Sequence, residues 1–129
     1  MKDYQRMKNN KYLLPGAVYH TALWIIRDYD RMVEEANDVL LESPSPSDGM
    51  PRSSKLVDEV AGKAERRAGY ARKIIAIEKA LDRIPDEYQR GVWENITKRK
   101  AFPKDASRST YSRNKSKLVY HVAKNLELI

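Results

Sequence analysis

One stretch near the carboxyl end decides how this chain folds: residues 107–128 read SRSTYSRNKSKLVYHVAKNLEL. On a helical wheel at about 100° per residue, its apolar side chains gather on one side. These are Tyr111, Leu118, Val119, Val122 and Leu126; the far side carries Arg113, Lys117, Tyr120 and Lys124, with Ser109, Ser112 and Ser116 between. The pattern predicts a helix that buries one side and shows cations and hydroxyl groups on the other.

The positive charge of the chain is concentrated around this helix. The 129 residues carry 25 basic and 18 acidic side chains, a formal net charge of +7. From residue 98 to residue 124 there are nine lysines and arginines and one carboxylate, Asp105. An ordinary exposed helix mixes both signs, so a one-sign surface indicates a polyanionic partner such as nucleic acid. Basic surfaces also serve solubility alone, and composition by itself does not choose between the two.

Several function classes find no support in the sequence. There is no cysteine, which excludes disulfides and thiolate zinc sites. His20 and His121 lie far apart in sequence, and no glycine-rich phosphate loop is present. We therefore expect no enzyme activity, no cofactor and no metal, and we interpret His121 as a structural residue. No apolar run reaches the ~20 residues of a membrane span, so a cytoplasmic protein is expected.

The chain before Pro85 predicts two long helices. Apolar residues spaced four and three apart predict a helix of roughly seven turns from Val18 to Leu40. The proline-rich residues 43–51 end it, and a second helix, capped by Ser53 or Ser54, continues to Pro85. Two such helices should pack as an antiparallel hairpin, although their heptad spacing could equally mark a self-association surface.

The chain after Pro85 predicts two shorter helices. The first begins near Asp86 and has an apolar side formed by Tyr88, Val92, Trp93 and Ile96. A basic turn at 98–106, with Phe102 as an aromatic anchor, leads to the helix of 107–128, capped by Asp105, Ser107 or Ser109. The predicted class is all-α, with a long helical hairpin at 1–84 and a helix-turn-helix-like pair at 85–129.

The candidate nucleic-acid contacts lie in this second region. Lysines and serine hydroxyls can bind phosphates, arginine can reach guanine edges, and a helix N-terminus favours phosphate. We expect DNA contacts from Lys98, Arg99, Lys100, Lys104, Arg108, Ser109, Thr110, Ser112, Arg113, Ser116, Lys117, Tyr120 and Lys124.

Several motifs in combination resemble a known family. They are IRDYD at 26–30, ESPSPSDGMPR at 42–52, IPDEY at 84–88, GVW at 91–93, DASRSTYSR at 105–113 and VAK at 122–124. With them the chain resembles the RinA-type transcriptional activators of phages and prophages of Gram-positive bacteria. The resemblance runs over nearly the whole length. It implies a regulator of late or packaging-region genes that binds promoter DNA and acts with host RNA polymerase, residues 1–84 serving dimerisation or polymerase contact.

The carboxyl-terminal region is also similar to region 4 of sigma factors. Leu81 through Tyr88 resembles the segment that opens its helix-turn-helix, and residues 109–113 resemble the start of its recognition helix. Region 4 holds a further short helix between them. Residues 98–106, with Pro103 inside, leave little room for it, so a shortened or irregular turn is expected.

The sequence is also compatible with two other functions. One is a small terminase-like DNA-packaging subunit that works as a ring-shaped oligomer. The other is a helical adaptor whose basic surface meets an acidic protein.

Overall fold

Helices account for most of the chain that the structure describes. This computed structural model describes residue 5 and residues 10–41 and 54–129, with side chains at 5, 10–36 and 65–129. Within those residues there is no strand, which confirms the all-α class. The helices are α1 (Gly16–Arg27), α2 (Tyr29–Leu41), α3 (Ser54–Leu81), α4 (Asp86–Lys98) and α5 (Arg108–Asn125). The proline-rich turn at 43–51, and the side chains of Val57, Val60, Ala61 and Ala64 in α3, lie outside the described residues.

The prediction of one seven-turn helix before the proline-rich turn was wrong, because the chain breaks at Asp28. This residue has φ −85° and ψ 0°, in the sparsely populated region between helix and strand. Its carboxylate accepts two hydrogen bonds of 2.6 Å from the guanidinium of Arg31. The bond from Arg31 lowers the pKa of Asp28, so the break keeps a charged carboxylate beside the first turn of α2, where the helix dipole favours it.

The break has a packing reason. α1 contacts α5 and α4, whereas α2 contacts α3. Leu23 and Ile26 before the break and Met32 after it are all buried. The two halves bury their apolar sides against different helices, and the break at Asp28 lies where these contacts change. The apolar spacing of the sequence continues across Asp28 and gives no sign of the change.

The residue after the break ties α2 to two other helices. The hydroxyl of Tyr29 donates to Glu78 of α3 at 2.8 Å. Its ring meets Trp93 of α4 edge to face, with 5.1 Å between ring centroids. Hydrogen bonding and aromatic contact together place the amino end of α2 against α3 and α4.

The connection from α3 to α4 follows the sequence prediction. α4 begins at Asp86 directly after Pro85, with Asp86 and Glu87 in its first turn, as the helix dipole favours. The side-chain amide of Gln89 donates to the carbonyls of Leu81 and Ile84. It thereby satisfies carbonyl groups that the end of α3 leaves without a helical partner.

α5 packs against three of the other helices. It contacts α1, α3 and α4, and Tyr111, Leu118, Val119 and Val122 from its predicted apolar side are all buried. Near its end the side-chain amide of Asn125 donates to the carbonyl of Ala76 in α3 at 3.1 Å. The buried core therefore includes residues from both sides of position 84, and the division into 1–84 and 85–129 stays a prediction.

α4 approaches α5 closely because Gly91 has no side chain. A Cβ atom at this position would lie 2.6 Å from Cε1 of Tyr111 and 2.8 Å from Cδ of Pro103. Both distances are shorter than any carbon–carbon contact that packing allows. Only glycine fits where α4 meets the aromatic ring of α5 and the loop that joins the two helices.

We expect Gly91→Ala to lower the free energy of unfolding by about 1–3 kcal/mol, because the added methyl group overpacks this contact. Urea denaturation followed by circular dichroism measures the change. Gly69→Ala is the matched control, since a Cβ there meets nothing within 4 Å; it should stabilise the helix by up to about 1 kcal/mol. An unchanged urea midpoint for Gly91→Ala would contradict this account of the contact.

Candidate nucleic-acid interface

The exposed amino end of α5 is built by a serine cap. The hydroxyl of Ser107 accepts a hydrogen bond of 3.1 Å from the backbone N–H of Thr110. Of the three predicted N-cap candidates, Asp105, Ser107 and Ser109, the N-cap is therefore Ser107. Arg108 and Ser109, the first two helical residues, are exposed. No acidic residue occupies the first turn, which leaves the positive end of the helix dipole without an acidic neighbour in that turn.

The predicted contact residues separate into three groups by exposure. Lys98, Arg99, Lys100, Lys104, Arg108, Ser109, Arg113 and Lys124 are exposed, Thr110, Ser112, Lys117 and Tyr120 are half-buried, and Ser116 is buried. The exposed group contains all of the predicted cations except Lys117. The predicted cations are therefore mostly accessible to solvent, whereas most of the predicted hydroxyl and aromatic residues are partly or fully buried.

Ser116 does not belong to the exposed side of α5, where the helical wheel placed it. Only 5% of its surface is exposed, and its hydroxyl lies 3.5 Å from the side-chain amide of Asn10. The ring of Tyr12 packs 5.4 Å from the ring of Tyr120. The chain segment before α1 thus covers this part of α5, a long-range contact that a helical wheel of α5 alone cannot include.

Most cations of the interface form no ion pair with a carboxylate. Lys100 lies 3.8 Å from Glu94. In the part of the chain that the structure describes, no carboxylate comes within 4.0 Å of six other cations. They are Lys98, Lys104, Arg108, Arg113, Lys117 and Lys124. Lys98 interacts with the charge of Glu94 without forming an ion pair, and Lys117 is half-buried. Cations that form no ion pair attract anions along this surface.

The turn between α4 and α5 is irregular, as predicted, and residues 99–107 contain no helix. The ring of Phe102 stacks on Tyr111 at 5.4 Å between centroids with an angle of 14°, which confirms it as the aromatic anchor. The ring of Tyr88 meets the ring of Tyr111 edge to face, with 5.3 Å between ring centroids. The hydroxyl of Tyr111 donates to Asp105 at 2.5 Å. The middle and the carboxyl end of the turn are thereby held against α5.

A buried amide fixes the start of the same turn. Asn95 is 2% exposed; its side chain donates to the carbonyl of Lys100 at 2.7 Å and accepts from Nζ of Lys115 at 2.9 Å. Arg99 takes the left-handed conformation with φ 54°, which turns the chain out of α4. Asn95 is not among the residues predicted from the sequence, because an asparagine among polar residues carries no periodic signal that distinguishes it.

A second missed feature lies where α4 ends. Nε of Arg27 in α1 donates to the carbonyl of Ile96 at 2.9 Å. The same guanidinium lies 5.3 Å from the ring centroid of Trp24, a side chain that is 61% exposed. An exposed tryptophan paired with an arginine therefore adjoins the basic turn, and only the packing of α1 on α4 brings it there.

Comparison with known protein families, curated proteins and solved structures found no match for this chain. Among the described residues no helix has the length and apolar character needed to cross a membrane. These same residues contain no group of three or more histidine, cysteine, aspartate or glutamate side chains arranged to hold a metal ion. The arrangement at α4 and α5 can bind anions through exposed cations on a rigid helix.

The Tyr111 contact has a measurable pH dependence. Its hydrogen bond to Asp105, together with burial of the phenol, raises the pKa of Tyr111 to about 12, above the value near 10 of an unfolded tyrosine. Since the folded chain holds this proton more tightly, the stabilisation is complete below about pH 10 and is lost as the pH rises towards 12.

We expect the free energy of unfolding to fall less between pH 10 and pH 12 in Tyr111→Phe than in the parent protein. Asp105→Ala should also reduce the fall, because it removes the acceptor of the hydrogen bond and leaves the phenol in place. Urea denaturation at several pH values measures the slopes. Equal slopes in the parent protein and both variants would show that this hydrogen bond does not control the titration.

Proposed function

We propose that this chain is a phage or prophage transcriptional activator that binds double-stranded DNA through α5 and the basic turn before it. In this proposal α4 and α5 act as a helix-turn-helix-like pair, and α5 is the recognition helix. The observation that carries the proposal is the set of six cations at the end of α4, on the turn and on α5 that form no ion pair with a carboxylate in the described chain. One-sign charge on a rigid helix matches the phosphate backbone of DNA.

The dimensions of α5 suit the major groove. An α-helix with side chains is about 10–12 Å across and the major groove is about 12 Å wide. The apolar side of α5 is buried against the other helices, so its exposed side is the part available to enter the groove. Arg113, exposed in the second turn of α5, would reach base edges there, and Arg108 and Ser109 would contact phosphate at the helix N-terminus.

The basic turn would contact the DNA backbone beside the groove. Lys98, Arg99, Lys100 and Lys104 are exposed, and the hydrogen bonds of Asn95 connect the carbonyl of Lys100 to Lys115 of α5. Because this connection is buried, the turn and α5 would meet DNA as one unit. Backbone contacts of this kind set the orientation of a protein on DNA without reading its sequence.

The regulatory part of the proposal rests on the resemblance to the RinA-type activators. It adds host RNA polymerase as the protein partner, a role for residues 1–84 in polymerase contact or dimerisation, and the cytoplasm of a bacterial host as the location. Duplexes selected from a random-sequence library provide the specific DNA with which to test binding.

Binding to a selected duplex should weaken steeply with salt. Each phosphate contact contributes a slope of about −0.9 in a plot of log affinity against log salt concentration, so four to five contacts give about −4. Fluorescence anisotropy of a labelled duplex from low to physiological salt measures this slope. A slope near zero would rule out the proposed phosphate contacts.

Two substitutions should separate base reading from backbone binding. We expect Arg113→Ala to weaken binding to the selected duplex by about 5- to 150-fold, with a smaller loss on random DNA. Lys98→Ala should weaken binding to both duplexes alike and flatten the salt slope by about 0.9. Equal losses on both duplexes for Arg113→Ala would remove Arg113 as a base-reading residue.

Arg66→Ala is the matched control for these variants. Arg66 is exposed on α3 and lies about 15 Å along that helix from Ala76, where α5 is bound. The Arg66→Ala substitution removes one positive charge, as the other two variants do, but from a surface outside the proposed interface. Binding and salt slope should therefore stay close to those of the parent protein.

A further inference from the structure

His121 continues the cationic row of α5 instead of lying outside it. Arg113, Lys117, His121 and Lys124 are spaced four, four and three residues apart, which places them along one side of the helix. At 1.5 Å per residue the row is about 16 Å long, slightly more than the width of the major groove. Its outer members are exposed, while Lys117 and His121 are half-buried.

The groups around His121 come from three parts of the fold. The ring of Tyr12, before α1, lies 6.0 Å from the imidazole, and the ring of Tyr120 lies 5.3 Å from it. The charges that act on His121 are Lys117 and Lys124 of α5 and Arg83 of the turn between α3 and α4, and all three are positive. Arg83 is exposed, and its charge acts on His121 from outside α5.

The groups around His121 disfavour a charged imidazole in the free protein. Burial, followed by the repulsion from Arg83, Lys117 and Lys124, lowers the pKa of His121. An anion held among the same three cations would reverse the repulsion, because its negative charge stabilises an imidazolium next to it. The imidazolium would then donate a further hydrogen bond to that anion.

We propose that Arg83, Lys117, His121 and Lys124 form a binding site for phosphate groups of nucleic acid, and that His121 takes up a proton when a phosphate enters it. This inference rests on the proposed function and extends the interface to the α3–α4 turn. Since the complex holds one proton more than the free protein, affinity increases as the pH falls. One proton gives at most about a tenfold change in affinity per pH unit.

The first test measures the affinity of the full chain for a selected duplex between pH 8 and pH 6 at constant salt. Affinity should rise as the pH falls, and His121→Gln should remove most of the rise. His20→Gln is the matched control, since His20 is the other histidine and lies exposed on α1; it should keep the pH dependence. A rise that persists in His121→Gln, or an affinity that does not change with pH, would overturn the inference.

The second test keeps His121 in place and so does not depend on the folding of that variant. The pKa of His121, followed by NMR, should be higher in the duplex complex than in the free protein. Arg83→Gln should raise the pKa in the free protein and weaken binding to the duplex. An unchanged pKa on binding would overturn the inference, even where the duplex binds.

The two proposals fail in different ways. If the duplex does not bind at any pH, the proposed function fails and the phosphate site fails with it. If the duplex binds with the expected salt slope but without proton uptake at His121, DNA binding stands and only the phosphate site is rejected. Binding of an acidic protein in place of DNA would reject both.

Discussion

The contact between Gly91 of α4 and the ring of Tyr111 in α5 is the constraint on which the rest of the carboxyl-terminal half depends. A methyl group at Gly91 would overlap both that ring and Pro103 of the intervening loop. Because the helices meet this closely, Phe102 can stack on Tyr111 and Asp105 can bind its hydroxyl. The basic turn therefore has one position relative to α5.

This geometry gives α5 two separate functions within the molecule. One side contacts α1, α3 and α4 and carries buried Leu118 and Val122. The other side carries the cations, of which Arg113 and Lys124 are exposed. A helix held on one side by three others fixes the backbone positions from which its charged side chains project. The helix itself then needs no ordering when a polyanion binds, which favours affinity and orientation.

The segment before α1 covers part of α5 and so reduces the surface of α5 that is exposed to solvent. Asn10 and Tyr12 contact Ser116, Tyr120 and His121, so hydroxyl and aromatic groups there serve packing. The cations that stay accessible form a row along α5 and on the turn. A nucleic acid would thus meet a charged stripe with few neutral donors, and backbone contacts would supply much of its affinity.

The amino-acid sequence is sufficient to predict the all-α class, the start of α4 after Pro85, and the buried and charged sides of α5. These features follow from local rules: proline ends a helix, and apolar residues three and four apart share a side. Only the tertiary packing sets the break at Asp28, the burial of Ser116 and Asn95, and the position from which the charge of Arg83 acts on His121. Each of these depends on which segment packs against which. Contacts between residues far apart in sequence produce no periodic pattern of apolar residues from which they could be predicted.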